Sequence, residues 1–232
     1  MLGILVILIV SWLLLYFIEN KNLMVLGFLP ISKVIMEFSI GVLFILIITL
    51  IFVGIDTFVN SIVWQINPTI DYYNILDSIL YNLRSAITED LVFRGALLYI
   101  LVSKLGIRLG TLLSAVVFGI YHWFSYGLLP GEFRLFPLLY VFIITGSIGY
   151  VWAYAYIKTQ SIMMPLGFHL GSNFIYSLYF KNAAYGELVF TEVSRIGLGE
   201  GYLSFFYLIS KGVATALITL IFVKFWVKKH VE

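Results

Sequence analysis

The stretch Ala86–Tyr99, AITEDLVFRGALLY, places two adjacent carboxylates and an arginine at the mouth of a long apolar run. Such runs dominate the chain, because 62% of its 232 residues are hydrophobic and only 11% are charged. This composition lies far outside that of soluble globular domains. The sequence therefore predicts an integral membrane protein, in which the charges of this stretch need a special explanation.

Seven apolar runs approach or reach the roughly 17 to 25 residues that cross a bilayer as a helix. The predicted spans are Leu2–Phe17, Phe38–Ile55, Ala86–Val102, Leu109–Phe124, Phe136–Ile157, Ile162–Phe180 and Tyr202–Val227. A shorter apolar piece, Leu23–Ile31, contains Gly27 and Pro30, which favours an interfacial or re-entrant segment. We expect an all-α, polytopic transmembrane bundle that forms a single membrane domain over residues 1–232.

Charge and cysteine usage exclude several classes of function. A formal net charge of +2, with scattered Lys and Arg, does not predict a nucleic-acid surface. The absence of cysteine excludes disulfides and a thiolate nucleophile. Basic residues concentrate in the loops after odd-numbered spans, which predicts a multi-pass protein of the cell membrane, surrounded by lipid, with a cytoplasmic carboxyl terminus and an outward-facing amino terminus.

A few polar side chains fall within or beside the apolar runs. An ionisable group in mid-membrane costs roughly 2.5 to 3.5 kcal/mol on insertion scales, so such groups usually face a protein-lined interior. We therefore predict that these side chains share an intramembrane polar cavity. They are Glu89, Asp90, Arg94, His122, His169 and Asn173.

The spacing of charged residues in the stretch Ala86–Tyr99 predicts that its two acids lie on different helix faces. Asp90 and Arg94 are four residues apart and share a helix face, whereas Glu89 points elsewhere. Asp90 can therefore pair with Arg94 and leave Glu89 free as a general base. The alternative is that both acids lie in the polar interface at a helix start, where they complement the helix dipole.

Two of the three histidines, His122 and His169, lie inside apolar runs. Asn173 follows His169 by four residues, so an imidazole and an amide share one helix face and can donate hydrogen bonds to an oxyanion. A lone intramembrane histidine is more often a packing residue. Two of them together with the acids favour a catalytic site.

Three motifs, in chain order, carry a resemblance to a known family: Glu89-Asp-Leu-Val-Phe-Arg94-Gly, Phe118-Gly-Ile-Tyr-His122 and His169-Leu-Gly-Ser-Asn173. They resemble the CPBP family of intramembrane proteases, which includes the CAAX prenyl endopeptidases and the Abi bacteriocin-immunity proteins. The similarity spans about residues 84–180. The family usually has a second glutamate where this chain has Asp90.

The resemblance implies roles for these residues. Glu89 and His122 would activate the water that attacks a peptide bond, His169 and Asn173 would stabilise the oxyanion, and Asp90 and Arg94 would support them. The alternative is a divalent metal such as zinc, held by Glu89, His122 and His169. The sequence lacks the His-Glu-x-x-His helix of many zinc peptidases, so the mechanism without a cofactor is favoured.

The leading hypothesis is an intramembrane endopeptidase that hydrolyses a peptide bond of a peptide or protein substrate near the membrane surface. One alternative is a non-catalytic bacteriocin-immunity or scaffold protein of the same fold. A transporter that uses Glu89 and the histidines as a proton relay is disfavoured, because the sequence lacks the paired broken spans of inverted repeats.

Overall fold

Seven α-helices make up most of the chain that the computed structural model describes, which is residues 2–130, 134–199 and 201–230. The all-helical membrane fold is confirmed. The helices are α1 (Leu2–Glu19), α2 (Ile31–Val59), α3 (Tyr72–Arg94), α4 (Ala96–Ser125), α5 (Leu135–Thr159), α6 (Met163–Tyr179) and α7 (Tyr202–His230).

Among the residues that the structure describes, five stretches are long and apolar enough to cross a membrane. One of them, Tyr72–Ser125, contains two crossings, because the chain reverses at Gly106, where φ is 80°. A β-carbon on Gly110 would lie 2.9 Å from the Val102 nitrogen, so these residues face each other across a hairpin. The short α6, with 17 residues, completes the arrangement of about seven membrane segments.

The prediction of one uninterrupted span over Ala86–Val102 is wrong. The helix α3 begins at Tyr72, ends at Arg94, and is followed by a break at Gly95 with φ −86° and ψ −132°. A β-carbon at Gly95 would collide with the Leu91 carbonyl oxygen, so the bend requires glycine. The first turns of α3 lie before Ala86, where the predicted span begins.

Two short strands were not predicted. The strands β1 (Val63–Ile66) and β2 (Phe190–Ser194) pair antiparallel, with Trp64 opposite Glu192. They are rich in β-branched and aromatic residues, which favour extended pairing. The sheet joins the α2–α3 connection to the α6–α7 connection.

The apolar piece after α1 does not cross the bundle. Leu23–Leu26 forms a single 3-10 turn, and Leu26 is fully buried. The Leu26 carbonyl accepts a hydrogen bond of 3.0 Å from the Ile162 amide. The segment therefore packs against the turn between α5 and α6, and α2 follows it directly.

The helices α2 and α6 pack with their backbones in contact through glycines. A β-carbon on Gly41 would lie 2.5 Å from the Met164 carbonyl oxygen, and one on Gly167 would collide with the Phe38 carbonyl oxygen. Small residues allow such close helix packing in membranes, where lipid supplies no hydrophobic drive for association. This contact fixes α6, which carries His169.

We expect Gly41→Ala to destabilise the protein by about 1 to 3 kcal/mol, because the added methyl group forces the two backbones apart. Gly54→Ala on the same helix is the matched control, since a β-carbon there meets nothing within 4 Å. Thermal unfolding in detergent measures both. Equal midpoints for the two variants would contradict the close α2–α6 contact.

Candidate active site

Three helices bring the predicted polar residues together. Glu89, Asp90 and Arg94 lie in the last two turns of α3, His122 lies in the last turn of α4, and His169 lies in the middle of α6. Asp90 and Arg94 are completely buried, and both histidines are at most 7% exposed. The carboxylates and imidazoles form one cluster inside the bundle.

Glu89 lies between the two imidazoles. Its Oε2 is 4.0 Å from His122 Nε2 and 3.8 Å from His169 Nε2. Its Oε1 accepts a hydrogen bond of 3.3 Å from Ser85 Oγ. The buried Oε2 has no hydrogen-bond partner in the described ranges of the chain.

The partners of the imidazole Nδ1 atoms determine the tautomers. His122 Nδ1 is 2.8 Å from the Phe118 carbonyl oxygen, and His169 Nδ1 is 3.4 Å from Asp90 Oδ1. Both partners are acceptors, so both Nδ1 atoms donate. The Nε2 atom of each ring faces Glu89 Oε2, where it is an acceptor in the neutral ring and a donor in the protonated ring.

Distances permit a bridging water. A molecule about 2.8 Å from each partner can join two atoms that are 3.8 or 4.0 Å apart. A water in this position would donate to Glu89 and to an imidazole. The cluster can therefore polarise a water for attack on a carbonyl group.

Arg94 holds the cluster together. Its Nη1 donates to Asp90 Oδ1, and its guanidinium carbon lies 3.9 Å from the Phe118 ring centroid and 4.9 Å from the Trp152 ring centroid. The Trp152 ring also packs on His169 at 4.7 Å. Cation–π contacts of this kind are strongest when desolvated, as here. Phe118 belongs to the second sequence motif, whereas Trp152 was not predicted as a site residue, and nothing in the sequence singles it out.

Asn173 lies apart from the other predicted residues. It follows His169 by one turn on α6 and lines the same cavity. No hydrogen bond joins its side chain to Glu89, His122 or His169 within the described residues. Its amide is therefore available to a molecule in the cavity.

A cavity of about 520 Å³ runs beside the cluster. Its wall includes both imidazoles but not Glu89, whose Oε2 is within 4.0 Å of both Nε2 atoms. The lining follows α6 from His169 to Phe180 at its end. Three charged residues of the wall were not predicted as site residues: Asp56, Arg195 and Lys211.

The residues do not fit a metal as they are arranged. Ligand atoms about 2.0 to 2.1 Å from a tetrahedral zinc lie roughly 3.3 Å apart, whereas Glu89 Oε2 is 3.8 and 4.0 Å from the two Nε2 atoms. In residues 2–130, 134–199 and 201–230, no group of three His, Cys, Asp or Glu side chains is placed to hold a metal ion.

Comparison with protein families gives a match over residues 72–175 to the family described as type II CAAX prenyl endopeptidase Rce1-like. The matched residues are similar to this protease family and make up a little under half of the chain. They contain all three motifs, from Glu89 to Asn173, so the resemblance is confirmed. Comparisons with curated proteins and with solved structures give no match.

The two adjacent acids of the CAAX protease motif should respond differently to neutralisation. Asp90→Asn removes the only counterion of the buried Arg94 within the described residues, which typically costs about 3 to 5 kcal/mol. Glu89→Gln removes a carboxylate whose single hydrogen bond is to Ser85, and its new amide can donate to an imidazole. Thermal unfolding in detergent should therefore show a large loss for Asp90→Asn and a small change for Glu89→Gln. Equal losses would contradict this division of roles.

Proposed function

We propose that the protein is an intramembrane endopeptidase in which Glu89 and His122 activate water and His169 and Asn173 stabilise the oxyanion. The single observation that carries the proposal is the convergence of two imidazole Nε2 atoms on an unpartnered carboxylate oxygen of Glu89. The similarity of residues 72–175 to a protease family supports it.

The first step transfers a proton from water to Glu89 Oε2 while the water oxygen attacks the carbonyl carbon of the scissile peptide. His122 accepts a second hydrogen bond from the water through Nε2 and orients it, because its Nδ1 is held by Phe118. The water oxygen then forms the new bond to carbon, and the carbonyl oxygen becomes an oxyanion.

The oxyanion needs donors on the cavity side. The Asn173 amide supplies one, and His169 supplies another in the protonated ring, whose Nε2 has taken up a proton from solvent before the substrate binds. The Asp90 carboxylate next to His169 Nδ1 stabilises this protonated ring. Collapse of the intermediate breaks the carbon–nitrogen bond, and the proton held by Glu89 passes to the leaving amine.

The activity of purified protein in detergent or liposomes against a peptide library tests the proposal. Glu89→Gln and His122→Ala should lose nearly all turnover, because each removes a group that activates the water. Asn173→Ala should retain activity reduced about a hundredfold to a thousandfold, as expected for one oxyanion donor.

Two other outcomes distinguish the alternatives. Full proteolysis or full biological function by folded Glu89→Gln would reject the enzyme and favour a non-catalytic immunity or scaffold protein. Loss of wild-type cleavage with a chelator, together with metal loss in His122→Ala and His169→Ala, would establish a metal enzyme instead.

We also propose that the carboxyl terminus is cytoplasmic, from the lysines at the end of α7. Because α7 has 29 residues and crosses the bundle, the loop before it then lies outside the cell. The chain has no cysteine, so single cysteines can be labelled cleanly. An impermeant maleimide should label Ile196→Cys in intact cells, since Ile196 is 83% exposed, and Lys228→Cys only after permeabilisation. Labelling of Lys228→Cys in intact cells, and of Ile196→Cys only after permeabilisation, would place the carboxyl terminus outside the cell.

A further inference from the structure

The end of the cavity away from the histidines is lined by charged side chains. Asp56 of α2 is only 4% exposed, and both of its carboxylate oxygens accept hydrogen bonds. Oδ1 accepts from Tyr207 Oη at 2.8 Å and from Asn60 Nδ2 at 3.3 Å, and Oδ2 accepts from Lys211 Nζ at 2.7 Å. The negative charge of Asp56 is therefore already balanced by Lys211.

The two cations at this end keep unused donors. Lys211 Nζ carries three N–H groups, and its one hydrogen-bond partner among the described residues is Asp56. Arg195 donates Nε and Nη2 to Glu192, at 2.8 Å each, and these hydrogen bonds raise the pKa of Arg195. Both cations line the cavity, whereas Glu192 does not. The unused N–H groups of these two cations favour an anionic ligand at this end of the cavity.

Asp56 and Tyr207 fix the position of the lysine. Asp56 lies on α2, while Tyr207 and Lys211 lie one turn apart on α7, so the ammonium is held between two helices. A lysine pre-positioned in this way loses little side-chain entropy when it binds a ligand. The hydrogen bond to Asp56 also offsets the cost of keeping the charge in a partly buried site.

The length of the cavity sets the distance to the candidate catalytic cluster. The lining follows α2 from Ile45 to Asp56 and α7 from Thr219 to Lys211. At about 1.5 Å per helical residue these segments measure about 12 to 16 Å. Ile45 packs against Gly171, next to His169, so it marks the inner end. An extended peptide advances about 3.3 Å per residue, so roughly four to five residues fill this length.

We propose that Lys211, with Arg195 beside it, binds a carboxylate of the peptide substrate about four to five residues from the scissile bond. The number of residues between the carboxylate and the scissile bond rests on the proposed peptidase function. Binding of the carboxylate itself requires no catalysis. The carboxylate is either the terminal carboxyl group of the peptide or an acidic side chain at the same distance. Lys211 is thus a specificity-determining residue.

Peptide binding to the Glu89→Gln protein tests the proposal without turnover. The probes are pools of apolar hexapeptides with a fluorophore at the amino terminus, prepared with a free carboxyl terminus, with a carboxamide terminus, or with a carboxamide terminus that follows a glutamate. We expect the free acid to bind roughly tenfold to a hundredfold more tightly than the plain amide, as for a hydrogen bond to a charged group. Comparable binding of the glutamate amide would identify a side-chain carboxylate as an equivalent ligand, and weak binding would restrict the site to the terminal carboxyl group.

Variants test whether Lys211 is the residue that binds the peptide carboxylate. Lys211→Met alone leaves Asp56 buried without its cation, so the combined Asp56→Asn and Lys211→Met variant removes both charges together. This variant should bind acid and amide pools equally, whereas Lys211→Arg should keep most of the preference. Lys181→Met, at an exposed lysine outside the cavity wall, is the matched control and should keep all of it.

Equal binding of the acid and amide pools by the parent protein would overturn the proposal, and so would a preference that survives in the combined variant. Catalysis is judged separately, because the proposed function predicts cleavage by the wild-type chain and its loss in Glu89→Gln. A carboxylate preference without any cleavage would reject the peptidase and retain the binding site.

Discussion

The buried charge of Arg94 is the constraint on which the site depends. A guanidinium with no exposure to water needs a counterion and polarisable surroundings, and it finds them in Asp90 and in the rings of Phe118 and Trp152. Each of these three residues also contacts a histidine. Asp90 and Trp152 contact His169, and the Phe118 carbonyl accepts from His122. The residues that surround the Arg94 guanidinium therefore also position both imidazoles.

This arrangement gives the neighbouring acids different surroundings. Successive residues on a helix point about 100° apart, so Asp90 faces Arg94 and His169 while Glu89 faces the gap between the imidazoles. Asp90 pairs with Arg94, and Glu89 Oε2 has no hydrogen-bond partner among the described residues. A shorter aspartate in place of the usual second glutamate still reaches its arginine.

Local periodicity made much of this predictable. The pairing of Asp90 with Arg94, the shared face of His169 and Asn173, and the membrane segments all follow from residues within one or two turns of each other. The break at Gly95 was not predictable, because glycine is common within membrane helices and only the collision with Leu91 shows that it is required here. The sheet and the contact between Asp56 and Lys211 join residues that are far apart in the sequence, and Asp56 and Lys211 are 155 positions apart. Each of these two residues, taken alone, resembles a charged residue near the end of a membrane helix.

The small sheet has a mechanical consequence for any molecule that enters the cavity. β2 leads directly into Arg195 at the cavity wall, and β1 lies between α2 and α3. Backbone hydrogen bonds of the sheet, together with those from Ile196 and Gly197 to the Asn60 carbonyl, tether this loop to the end of α2. The tether limits how far Arg195 can move relative to Asp56 at the end of α2, because both lie beside the backbone that these hydrogen bonds join. The spacing of the charges at this end of the cavity is therefore set by the backbone of the sheet as well as by the side chains themselves.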